Sequence, residues 1–131
     1  MVCIYCGGNT RIINSRLQNR TNITWRRRQC LSCKSIATTL EQIDLTRSLV
    51  VNNKSGETCA FIPEKLFLSI YESLKHRPTA ITDARHLSNT VISRIINPSN
   101  GKIESRVITE ITLVVLNRFD KVASAHYNAF H

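Results

Sequence analysis

The chain has 131 residues, of which 42% are hydrophobic and 21% charged, a composition close to the globular average that excludes a disordered or low-complexity protein. Its formal net charge of +9 and pI near 9.8 predict attraction to nucleic acid or to an anionic membrane surface. The longest apolar cluster, ITLVVL at 111–116, is too short to span a bilayer, and the N-terminal MVCIYC lacks the apolar stretch of a signal peptide, so a cytoplasmic protein with no membrane partner is expected.

From the N-terminus, the first feature is the pair Cys3 and Cys6 in CIYC, matched by Cys30 and Cys33 in CLSC. Five cysteines, four of them in two tight pairs, argue for metal binding in a reducing compartment rather than a disulfide frame. Each Cys-x-x-Cys turn can place two thiolates on one side of a metal. Two such turns brought together supply a tetrahedral four-sulfur site for one zinc ion per chain. Four thiolates leave no position open for water, so the metal is expected to be structural. A redox role is the rival reading, but neither pair lies in the strand and helix context of a thioredoxin motif. Gly7 and Gly8 permit the tight backbone that such a turn needs.

Between the pairs, TRIINSRLQ and NITWRRRQC are rich in β-branched residues and separated by the polar NRTN, which predicts strand, turn, strand. SIATTLEQI supplies a third strand and completes the pattern of a zinc ribbon. Alternation along the second strand puts Ile23, Trp25 and Arg27 on one face and Thr24, Arg26 and Arg28 on the other. Trp25 is expected to pack on the small core. Residues 1–40 hold seven bases and no acid, and residues 1–47 carry a net +6 against +3 for the remainder. A zinc tetrathiolate of formal charge −2 offsets only part of this, so phosphate is the expected partner of Arg26 and Arg28.

The pattern changes near residue 47, which predicts a ribbon over 1–46 and a second domain over 47–131. SLVVN and ETCAF flank the turn-like NKSG and form a hairpin between Leu49 and Phe61. PEKLFLSIYESLKH starts a helix at Pro63, with Leu66, Ile70 and Leu74 on its apolar stripe and Phe67 and Tyr71 widening it. A second helix is expected from Thr82 as N-cap, with Ala84, Leu87, Val91 and Ile95 on one side, ended by NPSNG at 97–101. A third begins after Ser105 and carries Ile108, Ile111, Val115 and Phe119, and a fourth runs from Asp120 to about Phe130. His76, His86, His126 and His131 have no metal spacing, Cys59 has no base beside it, and neither a P-loop nor a Rossmann glycine pattern occurs, so an enzyme is not expected.

The order CIYCGGNTRIINSRLQ, RRRQCLSC, LVVNNKSGETCAFIPEKL and VLNRFDKVA resembles the NrdR family of bacterial transcriptional repressors of ribonucleotide reductase genes. The resemblance covers nearly the whole chain. It implies an α+β protein, a DNA-binding zinc ribbon followed by a small, mainly helical ATP-cone domain with a β-hairpin. It further implies that ATP or dATP binds the cone as a regulatory ligand and alters a homo-oligomeric state and affinity for double-stranded DNA. Carried over by motif, it assigns zinc to Cys3, Cys6, Cys30 and Cys33, and DNA contact to Arg16, Arg26, Arg27 and Arg28. Nucleotide binding falls to Val51, Asn53, Lys54 and Lys65. Here Asn53 replaces one of two hairpin bases and Cys59 a glutamate, which predicts binding weaker than the family norm. Asn14 stands where the family commonly has aspartate, Trp25 where it often has arginine, and the tail KVASAHYNAFH is shorter than the family's. A diverged paralogue acting on other promoters, or an adaptor that joins an enzyme through its cone, are the alternative readings.

Overall fold

The β-branched stretches between the cysteine pairs form three strands in a computed structural model that describes residues 1–97 and 100–131. Strands β1 (Thr10–Gln18), β2 (Ile23–Cys30) and β3 (Ile36–Glu41) make an antiparallel sheet in the order β1-β2-β3. A bulge between Ile12 and Asn14 shifts the β1 register, and Asn22 takes a left-handed φ of 54° in the turn to β2. The chain divides into two compact units, residues 1–43 and 44–131. In the first unit only Cys3 and Cys30 are buried.

That fact corrects the expectation for Trp25. Its ring is 50% exposed, because a single sheet with no second layer offers no core on which an indole can pack. Ile12, Leu17 and Leu40 are exposed for the same reason.

The second unit buries a contiguous core. It comprises α1 (Leu45–Ser48), β4 (Val50–Asn52), β5 (Thr58–Ala60), α2 (Pro63–Ser73), α3 (Ala80–Ile96), β6 (Lys102–Glu104), α4 (Ser105–Phe119) and α5 (Lys121–Phe130). β4 pairs antiparallel with β5, the expected hairpin, and parallel with β6, an edge strand not anticipated from the sequence. Gly101 leads into β6 with φ +80°, and its carbonyl accepts from the Val50 amide at 2.8 Å. Leu66, Ile70 and Leu74 face Val91, Ile95, Val115 and Leu116 in one cluster with Val51, Phe61, Ile103 and Tyr127.

Two details differ from expectation. Helix α3 begins two residues before Thr82, at Ala80, with Thr79 at the N-cap position; the Thr79 hydroxyl bonds Asp83 Oδ2 at 2.6 Å instead of a backbone amide. On α4, Thr112 and Leu116 are fully buried, whereas Phe119 is 40% exposed and lies under the Arg77 guanidinium at 4.7 Å from the ring centre. The helix ends at Ile96, and the expected break at 97–101 includes Pro98 and Ser99, which lie outside the described residues.

Candidate functional site

The two Cys-x-x-Cys turns bring four sulfurs within 4.8 Å of one another. Cys3 Sγ is 3.7 Å from Cys33 Sγ, and Cys6 Sγ is 3.5 Å from Cys30 Sγ. A tetrahedral zinc with bonds of about 2.3 Å requires sulfurs about 3.8 Å apart, so these residues fit the ion. Backbone amides turn toward the same atoms: Tyr5 N–H donates to Cys3 Sγ, and the Ser32 and Cys33 amides donate to Cys30 Sγ, each at 3.4 Å. The Cys33 and Ser32 amides hold the Cys30 thiol below its ordinary range. The Ser35 hydroxyl and amide bring Cys33 down to about 6. Cys6 moves the other way, to about 11: the Gly8 amide lowers it, but the crowding of the Cys30 and Cys33 thiols outweighs that. A dication resolves the crowding, because it lets all four sulfurs ionise together.

The two turns repeat one backbone design. After Cys6 comes Gly7 at φ +76°, and after Cys33 comes Lys34 at φ +64°. Next to the first, Gly8 is required for space: a Cβ there would lie 2.9 Å from Ser32 Oγ and 3.3 Å from both Cys30 Sγ and Cys6 Sγ. Lys34 is the imperfect copy, since a left-handed non-glycine residue costs about 1–2 kcal/mol and glycine loses about 0.5–1 kcal/mol more chain entropy. Lys34→Gly is therefore expected to stabilise the zinc-loaded ribbon by about 0.5–1 kcal/mol, read as slower zinc release to a chelator. A faster release would show that Lys34 contributes through its side chain.

Cross-strand register sorts the ribbon residues onto two faces. Arg16, Trp25 and Leu40 form one row, Asn14, Arg27 and Thr38 the next, and Arg11, Gln29 and Ile36 a third. Paired residues point the same way, so all three rows share a face. Trp25, Arg27, Arg11 and Arg16 are exposed there. The opposite face carries Arg26 and Arg28, both half-buried. Arg26 pairs with Glu41 at 2.7 Å, and Arg28 reaches the Thr10 hydroxyl at 3.5 Å. The Nε atoms of both are buried without a hydrogen bond. The four arginines grouped for DNA contact are thus separated by the sheet: Arg16 and Arg27 stand together, Arg26 and Arg28 behind them.

In the second unit, Val51 is buried in β4 and pairs with Cys59 across the hairpin. The hairpin closes through the Asn53 amide to the Glu57 carbonyl at 2.8 Å, with Gly56 at φ +83°. Asn53 Nδ2 contacts Cys59 Sγ at 3.7 Å, so the two hairpin residues expected to weaken nucleotide binding face each other. Lys54 in the turn and Lys65 in the first turn of α2 are exposed, and neither makes an ion pair among the described residues. No helix among the described residues is long and apolar enough to cross a membrane.

A family model described as the N-terminal domain of NrdR-like transcriptional repressors matches residues 1–41. The transcriptional repressor NrdR of Neorickettsia sennetsu is 35% identical over 124 residues, which cover 94% of this chain and 83% of that protein. The repressor of the same name from Heliobacterium modesticaldum is 30% identical over 128 residues, 97% of this chain and 84% of its own length. The chain belongs to the NrdR family of transcriptional repressors. NrdR from Streptococcus sanguinis is 29% identical across 97% of this chain. These relatives are named as repressors, a class that is not enzymatic.

Within this NrdR-family ribbon, one residue escaped the reading of the sequence. Glu41 lies just beyond the acid-free stretch 1–40, yet β2–β3 pairing sets it beside Arg26. The signal was the alternation itself, which places Glu41 of β3 on the face of Thr39 and Ala37, the residues opposite Arg26 and Arg28.

Proposed function

We propose that this protein represses ribonucleotide reductase genes by binding duplex DNA through its zinc ribbon, as a homo-oligomer whose affinity is set by ATP or dATP in the second unit. The observation that carries the DNA reading is the charge of the ribbon. Residues 1–43 hold seven bases and a single acid, Glu41, which is already engaged with Arg26. Such an imbalance on an exposed sheet has its natural counter-charge in a phosphate backbone. The names of the relatives support transcriptional repression. The nucleotide reading rests on the family resemblance and on Lys54 and Lys65, two exposed ammonium groups without carboxylate partners among the described residues, which can receive phosphate oxygens as point charges.

Binding to labelled duplex DNA should weaken log-linearly with salt, by about 0.9 in slope for each phosphate neutralised. Addition of ATP or dATP should shift the affinity and raise the melting temperature, and Lys65→Ala should abolish both nucleotide effects. Affinity independent of salt would remove the DNA reading. If neither nucleotide changes affinity or melting, the second unit is an assembly domain. The Asn53–Cys59 contact would then mark a paralogue that has lost nucleotide sensing.

A further inference from the structure

The two faces of the ribbon sheet hold their arginines differently: Arg26 and Arg28 are half-buried and engaged within the sheet, whereas Arg11, Arg16 and Arg27 are exposed. Arg26 is held by Glu41 at 2.7 Å, and the Nε atoms of Arg26 and Arg28 are buried. On the other face Arg11, Arg16 and Arg27 are exposed, no carboxylate lies among them, and Trp25 stands between Arg16 and Leu40 in the cross-strand row. Half of the indole surface meets water. A large exposed aromatic ring inside a patch of three guanidinium groups is costly to leave in water and well suited to an anionic partner with apolar surfaces between its charges. Duplex DNA has this combination: phosphates line the groove edges, and the major-groove floor offers thymine methyl groups and base edges. Neighbouring strands lie about 4.8 Å apart, so two strands of the ribbon fit a groove about 12 Å wide.

Resting on the DNA-binding function above, we propose that the Trp25 face is the DNA-contact surface. Arg11, Arg16 and Arg27 neutralise phosphates there, and the indole makes a non-electrostatic contact with the groove floor. Arg26 and Arg28 hold the sheet together and do not touch DNA. The division corrects the simple view that the arginine triplet acts as one unit, since alternation sends its middle member to the opposite face from its neighbours.

Trp25 is the sole tryptophan of the chain, so its emission reports this contact directly. The test follows a labelled mixed-sequence duplex by anisotropy and, in the same titration, the emission of Trp25 and its accessibility to acrylamide. Binding should shield Trp25 from the quencher. Trp25→Ala should lower affinity about tenfold, the scale of one buried apolar contact, without altering the salt slope. Arg27→Ala should reduce that slope by about 0.9, whereas Arg26→Ala should leave it unchanged and lower the melting temperature. If the duplex binds while Trp25 remains fully quenchable, or if the slope responds to Arg26 and Arg28 but not to Arg16 and Arg27, the face assignment is overturned and the ribbon still binds DNA. If the anisotropy shows no binding at all, DNA binding itself is overturned and the assignment with it.

Discussion

Stripping zinc, or replacing Cys30 with serine, is expected to unfold residues 1–43 and to leave residues 44–131 folded. In the first unit Cys3 and Cys30 are the only buried residues, so no apolar core remains once the sulfurs lose their common ligand. Hydrogen bonds along β1–β2–β3 cannot substitute, because a small isolated sheet is marginal in water. The free energy of structural zinc binding, about 10–16 kcal/mol in comparable small sites, is therefore folding free energy here. The second unit has its own core, including Ile70, Leu74, Val91, Ile95 and Leu116, and should keep its cooperative melting. Elemental analysis should give one zinc per chain. Amide exchange should show protection over 10–41 lost with the metal and protection in α2 to α5 retained. Protection of β2 persisting after chelation would mean that something other than the metal holds the ribbon.

Asp120→Ala is expected to destabilise the second unit by about 2–3 kcal/mol. Asp120 is the N-cap of α5, and its Oδ1 accepts from the Val122 and Ala123 amides at 2.9 and 3.1 Å. Its Oδ2 receives Arg77 at 3.1 Å and lies 2.8 Å from His76 Nε2, which ties α5 to the segment between α2 and α3. Arg77 in turn bonds Asp83 and stacks on Phe119, so one carboxylate organises three helices. For a unit of this size the loss should lower the melting temperature by about 10–20 °C. Asparagine keeps the cap oxygen but not the charge, so Asp120→Asn should cost about 1 kcal/mol.

The same residue sets an acid limit. The His76 hydrogen bond, the Ala123 amide and Arg77 hold the Asp120 carboxyl at about 2, below its ordinary 3.8. A depressed folded value means that the stabilisation is complete above about pH 4 and is lost as pH falls toward 2. Denaturation curves should show wild type and Asp120→Asn converging across that window. Parallel curves down to pH 2 would place the acid sensitivity elsewhere.

The spacing of Cys3, Cys6, Cys30 and Cys33 and the alternation around Trp25 are local properties, fixed by chain geometry within a few residues, and so the metal centre and the three ribbon strands were legible without coordinates. The same holds for the apolar stripes of α2 and α3, which the 3.6-residue period writes into the sequence. Contacts between distant segments were not legible. β6 has three residues and a single apolar side chain, too little for a periodic signal, and it exists because β4 offers it a parallel edge. Alternation divided the arginines between two faces but could not say which of them would meet a counter-charge. Sheet pairing decided that by placing Glu41 against Arg26. Asp120 likewise reads as an ordinary helix cap until folding brings Arg77 and His76 to it across more than forty residues. Short-range order is encoded by side-chain period and turn chemistry; the partner of a charge is chosen by whatever the packed core carries to within a few ångströms of it.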